Sequence, residues 1–212
     1  MHPSPAFRRA SREANLTFAG ERSFGVLVVD GDAVDGPLLS HIPFLLAEDG
    51  SVVHAHLMGS NPIARRLAQG ERRAILAVSG PDGYVSPDWY DAGNDLVPTW
   101  NYVAVHLRGR LRLRPGETLR SHLDSLATHF EHRLLPKPPW QTSKVPDRHL
   151  QAMMRAILPV ELVVESVDGT WKLNQNRTDE ARLNAARHLE NGGYGMETAR
   201  LARLMRSLPE RE

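Results

Sequence analysis

The chain has 212 residues, no cysteine and a near balance of charge, 26 Lys and Arg against 25 Asp and Glu with 10 His besides, for a formal net charge of +1. That length bounds one large domain or two small ones and buries roughly two-thirds of the unfolded surface, so no disulfide or metal staple is needed. The missing thiols exclude zinc fingers, thiolate nucleophiles, iron–sulfur clusters and disulfide scaffolds, and the small net charge argues against broad, nonspecific nucleic-acid binding while leaving localised basic faces open.

A helix is expected over residues 11–22, with Leu16 and Phe18 as apolar anchors. A β-branched run over 24–29 ends at Asp30-Gly31-Asp32, a second apolar run over 37–47 ends at Glu48-Asp49-Gly50, and a third covers 51–57. Short polar turns between three such runs suggest an antiparallel meander. Asn61-Pro62 opens a helix that stops at Gly70, with Asn as its cap and Pro at its first position. A strand over 73–79 ends at Gly80-Pro81-Asp82-Gly83, and 88–97 reads as a loop or a single helical turn.

The clearest strand spans 100–113. From Val105 it alternates strictly, with Val105, Leu107, Gly109, Leu111 and Leu113 on a core face and His106, Arg108, Arg110, Arg112 and Arg114 on a cationic one. Residues 117–133 follow as a helix with Leu119, Leu123, Leu126, Ala127 and Phe130 at spacings of three and four. Residues 135–145 form a proline-rich loop, Asp147 caps a helix to 156, and strands over 159–167 and 170–173 flank Asp168-Gly169 as a hairpin. Thr178 caps a helix to 190, Gly192-Gly193 ends it, and a last helix covers 196–208. About seven strands without regular crossover helices disfavour a doubly wound sheet and favour a mostly antiparallel barrel. No run approaches the roughly 18 apolar residues that span a bilayer, and the opening MHPSPAFRRASREANL puts prolines and charges where a signal peptide is apolar. A cytoplasmic location, away from membranes, is the expectation.

Four clusters carry polar chemistry that a plain barrel does not need. Ser40 and His41 interrupt an apolar strand, where a hydroxyl and an imidazole must find partners or water. His54 and His56, at i and i+2, share one strand face. A metal is not expected there, because no nearby acid completes a ligand set. Ser60 and Asn61 start a helix whose amides favour a phosphate, with Arg65 and Arg66 one turn on. Between residues 84 and 102 lie two of the four Trp and three of the four Tyr, a crowding that marks an interface or a platform. Lys172-Leu173-Asn174-Gln175-Asn176-Arg177 is a dense polar run after a strand.

Together these blocks resemble the PaiB-type family of FMN-binding negative transcriptional regulators. The residues that carry the resemblance are Ser23-Phe24-Gly25, Ser40-His41-Ile42-Pro43, His54 with Asn61-Pro62, Tyr84-Val85-Ser86-Pro87-Asp88-Trp89-Tyr90, Val97-Pro98-Thr99-Trp100-Asn101-Tyr102, His106 with Gly109, and the run from Lys172 to Arg177. It covers about residues 7–207, with Gly59 and Asn174 standing where the family often has lysine or alanine and serine. The resemblance implies an α+β fold with a mainly β core: a split β-barrel, mostly antiparallel, with peripheral helices and two C-terminal helices. It implies a homodimer with FMN between subunits, an FMN-binding barrel domain over 1–175 and a helical extension over 176–212.

By position, the phosphate then lies near Ser60 and Asn61, and the ring near Ser40, His41, His54 and His56. Thr99, Trp100 and Asn101 close the ring pocket from the partner subunit, and Ser86 joins the cofactor set. Lys172 and Gln175 reach the phosphate or the pyrimidine edge, and Trp100 borders the flavin or fills the dimer interface. No catalytic residue is assigned, and a proton could pass through either His41 or His56. Two functions stand open besides a cofactor-sequestering module: an FMN-binding repressor, and a flavin-dependent oxidoreductase for a small molecule without direct DNA binding. For DNA, only two arginine rows offer themselves, Arg108 to Arg114 on the long strand and Arg200, Arg203 and Arg206 on the last helix.

Overall fold

The computed structural model describes residues 1–31, 36–91 and 96–210. Asp32 of the expected first turn and residues 92–95 of the loop expected over 88–97 lie outside the described residues. In chain order the elements are α1 (Arg12–Arg22), β1 (Phe24–Val29), β2 (Leu38–Pro43), β3 (Leu45–Leu46), β4 (Val52–Met58), α2 (Pro62–Leu67), β5 (Arg72–Val85), β6 (Thr99–Leu113), α3 (Thr118–Glu131), α4 (Asp147–Met154), β7 (Ile157–Lys172), α5 (Asp179–Glu190) and α6 (Thr198–Arg206). Caps act where the sequence places them at Asn61, which accepts a hydrogen bond from Ile63 N at 2.9 Å, and at Thr178, which accepts from Ala181 N at 3.3 Å. Among the described residues no helix is long and apolar enough to cross a membrane.

The seven strands form one sheet in the order β2-β1-β5-β6-β7-β4-β3. The expected meander is replaced by a split in its second strand. Residues 38–43 pair with β1, placing His41 opposite Val26, whereas Leu45 and Leu46 pair with β4, opposite His54 and Val53. Phe44 turns the chain between them. Its ring is fully buried and its N–H donates to Ser23 O at 3.0 Å. One stretch of chain thus supplies both terminal strands of the sheet. The fold is α+β with a mainly β core, an antiparallel split barrel with peripheral helices and two at the C-terminus.

By internal contacts the chain forms two compact units: one of Met1–Arg22, Val78–His106 and Val167–Glu212, the other of Ser23–Ala77 and Leu107–Ser166. The barrel unit, 23–77 with 107–166, buries Leu27, Val53, Leu57, Leu76, Leu107, Leu111 and Leu162. Period-two alternation on β6 holds through its length, so the core face read from the sequence is the core face. The other unit packs α1, α5 and α6 around Phe18, Val85, Val103, Leu173, Leu189, Leu201 and Met205.

Two turn expectations are corrected. β5 runs unbroken through Gly80-Pro81-Asp82-Gly83, and β7 runs unbroken through Asp168-Gly169, with no hairpin. These glycines serve close approach. A Cβ at Gly80 would fall 2.4 Å from the Phe18 ring, one at Gly83 2.7 Å from Leu189, and one at Gly169 1.9 Å from Asn15 Oδ1. Glycine inside a strand marks a place where another element comes near, and here the elements are α1 and α5.

Candidate functional site

The barrel unit gathers six of the twelve candidate residues, Ser40, His41, His54, His56, Ser60 and Asn61, on β2, β4 and the start of α2. Asn61 joins two elements: its Oδ1 caps α2 and its Nδ2 donates to Ser40 Oγ at 3.1 Å. Ser60 is exposed beside it, as is Arg65. His41 is exposed on β2, its ring 6.4 Å from that of Phe24.

His54 and His56 share one face of β4, as the i, i+2 spacing requires. They meet a residue not singled out in the sequence, His122 of α3. His56 Nδ1 lies 3.2 Å from His122 Nε2, with the rings edge to face at 5.4 Å. His54 Nδ1 is buried without a hydrogen-bond partner, 3.9 Å from Glu161 Oε2. Burial lowers the pKa of all three. For His54 the positive charge of Arg114 adds to that effect while Glu161 opposes it. For His56 burial alone acts. His122 is pushed down to about 4 by burial first, then by His56, His54 and Arg114. At neutral pH the cluster is uncharged. No group of three or more potential metal ligands is found among the described residues, so the cluster offers neutral donors and acceptors. The sequence signal for His122 was its place three residues after Leu119 and four before Leu126, on the buried stripe of α3.

The other unit holds Ser86, Thr99, Trp100, Asn101, Lys172 and Gln175. Lys172 Nζ donates to Thr99 Oγ1 and stands 5.8 Å over the Phe7 ring. Burial lowers its pKa, and no carboxylate pairs with it among the described residues. Gln175 is turned back on its own strand end, accepting from Leu173 N at 2.7 Å and donating to Trp171 O. Ser86 accepts from Asp88 N at 3.3 Å and opens a short 3-10 turn. Alternation on β6 sends Trp100 and Asn101 in opposite directions. Trp100 is 43% exposed, edge to face with Tyr84 and Tyr194, whereas Asn101 is fully buried with its Nδ2 on Met205 Sδ and its Oδ1 unpartnered. Tyr194, in the link between α5 and α6, had no motif to mark it.

Both arginine rows are largely neutralised within the chain. Arg110 pairs with Glu71 at 2.5 Å and Glu165 at 3.1 Å, Arg112 with Glu161 at 2.6 Å, and Arg114 with the same carboxylate at 3.3 Å. On α6, Arg200 pairs with Glu21 at 3.0 Å and Arg206 with Glu190 at 2.5 Å.

This sheet, with its seam at Phe44, places the protein in the split-barrel class. Within that class the chain belongs to the family described as "Putative FMN-binding domain", whose model matches residues 1–166. It is 29% identical over 194 residues, 90% of each chain, to the Protease synthase and sporulation protein PAI 2 of Bacillus subtilis. Its fold is shared with an FAD- and heme-binding protein from Mycobacterium smegmatis, at a TM-score of 0.57 and 18% identity over 89% of this chain and 82% of that one. A flavocytochrome from Azotobacter vinelandii shares it at a TM-score of 0.51 and 18% identity, over 81% and 72%.

Proposed function

We propose that this chain is a cytoplasmic FMN-binding protein of the PaiB type, a homodimer with the cofactor at the subunit interface and a regulatory role in transcription. The observation that carries the flavin is the family match over residues 1–166, which include every candidate cofactor residue but Lys172 and Gln175. The side chains present suit the group. Ser60 and Arg65 are exposed beside the Ser40–Asn61 pair, and the Lys172 ammonium carries a charge that no carboxylate among the described residues answers. A phosphate supplies that answer. His41, His54 and His56 are assigned to the ring, with Ser86, Thr99 and Trp100 closing it and Lys172 at the phosphate or the pyrimidine edge, while buried Asn101 and self-bonded Gln175 hold the strand positions of Trp100 and Lys172. We assign residues 1–175 to the cofactor domain and 176–212 to a helical extension. A bound flavin would supply one- and two-electron redox chemistry, with the protein providing position and electrostatics.

A second reading, a flavin-dependent oxidoreductase for a small molecule with no direct DNA binding, is favoured by the ion pairs that occupy both arginine rows. Counterion release needs free cations, and most of these arginines are paired with glutamates.

Purified protein is expected to be yellow and to release FMN on acid denaturation; colourless protein that takes up no added FMN overturns the reading. Asn61→Ala and Lys172→Ala should each weaken FMN about tenfold, the size of one lost charge-assisted or bridging hydrogen bond. Unchanged affinity in both refutes the pocket placement. Salt-sensitive, sequence-selective DNA retention favours the regulator, and bleaching of the flavin by NADH or NADPH without such retention favours the enzyme.

A further inference from the structure

Helix α3 meets the barrel wall through two imidazoles seven residues apart. Two helical turns separate them, so His122 and His129 lie on one face, interleaved with buried Leu119 and Leu126. His122 Nε2 faces His56 Nδ1 of β4 at 3.2 Å. His129 Nε2 lies 2.8 Å from Ser23 Oγ, at the entry to β1, and 2.8 Å from Arg133 at the helix end. Ser23 is itself a fixed point, 1% exposed and held at φ 48°.

Two of the three contacts have a proton condition, since Ser23 Oγ can either donate to or accept from His129 Nε2. A guanidinium only donates, so the His129 nitrogen beside Arg133 must accept, which requires the neutral ring. Between His56 and His122 one proton suffices, and a second puts two N–H groups face to face across 3.2 Å. The surroundings offer little relief. β4 contributes His54 and His56, the end of β6 contributes Arg114, and β7 contributes Glu161, already engaged by Arg112 and Arg114. On α3 itself Asp124 faces outward and is tied to Arg120 and Thr142. No carboxylate lies within ion-pair distance of His122 or His129 among the described residues.

We propose that α3 is an acid-released flap, docked on β4 and β1 while His122 and His129 are uncharged and lifted from the barrel wall when they take up protons. Lifting it parts His56 from His122 and widens access to the already part-exposed His54 and His56. Burial lowers the affinity of both rings for protons in the docked state, with Arg133 adding to the effect at His129. Such groups contribute docking stability that is fully present above the unperturbed histidine range. That stability is lost as pH falls through about 6.5 toward about 4, because the undocked helix binds the extra protons.

Hydrogen exchange, normalised for the intrinsic pH dependence, tests this on the intact chain. Between about pH 7.5 and about pH 5, residues 118–131 should lose at least about tenfold in protection while the centre of β6 keeps its own. The double substitution His122→Phe with His129→Gln removes both titrations while keeping a ring and an acceptor, and should abolish the loss. Equal protection of α3 at both pH values, or a loss that persists in the double variant, overturns the proposal. If the double variant does not fold, the ring protons of the native chain decide. Midpoints for His122 and His129 that coincide with the α3 transition support the flap, and midpoints at or above about 6.5 overturn it. Neither readout involves flavin.

Discussion

Gly109→Ala should destabilise the protein by about 3 kcal/mol or more and lower its melting temperature by about 10 °C. Gly109 lies on the core face of β6, and an added Cβ would fall 1.8 Å from Val163 O and 2.8 Å from Val163 C of β7. Both are backbone atoms. No rotamer change relieves the clash, so the β6–β7 ladder must open locally, losing hydrogen bonds and the packing of Leu107, Leu111 and Leu162 against one another's layers. Gly116, just past the end of β6, is the control. A Cβ there meets nothing within 4 Å, so Gly116→Ala should change stability by less than about 1 kcal/mol, in either direction. Chemical denaturation of the two variants side by side checks the pair, and equal midpoints would remove the close-approach account of Gly109.

Gly109 also shows how far the sequence could be read. The strict alternation from Val105 to Arg114 identifies a strand and its buried face, because a pleated strand allows only one assignment of odd and even residues. What alternation cannot say is why a glycine occupies a core position. The same ambiguity misdirected the reading of Gly80, Gly83 and Gly169. Beside Pro and Asp they look like turn residues, yet each makes room for a side chain of α1 or α5 far away in sequence. The site divides similarly. Asn61 was legible because capping is local chemistry. His122 was not, since its meaning depends on α3 lying against β4, and nothing near residue 122 announces that. The arginine row on β6 was legible as a charged face, but its neutralisation by Glu71, Glu161 and Glu165 follows from which strand ends become neighbours. Local periodicity therefore carried the elements, and long-range pairing decided their use.

Asn15 supplies the second large effect, and it explains Gly169 in energetic terms. This α1 side chain is 5% exposed and satisfies every part of itself. Its Nδ2 donates to Ala10 O at 3.2 Å and Ser11 O at 3.0 Å, tying down the start of its own helix, and its Oδ1 accepts from Trp171 Nε1 at 2.8 Å. The Oδ1 can reach the indole only because residue 169 has no side chain. Asn15→Leu keeps the branched heavy-atom shape with bulkier methyl groups, but it leaves the buried indole N–H without an acceptor and takes a donor from Ala10 O, while Ser11 O keeps the backbone N–H of residue 15; the change costs about 3 kcal/mol. Trp171→Phe, by contrast, removes the donor and frees one lone pair of Asn15, at about 2 kcal/mol, most of it lost packing against Phe18, whose ring centroid stands 5.4 Å away. With both replaced, the N–H that had been stranded is gone as well. The double variant should therefore be less destabilised than the sum of the two by about 1 kcal/mol or more, a coupling that urea denaturation resolves. Strict additivity would mean that the indole hydrogen bond carries no net weight and that Gly169 is kept for the approach of α1 alone.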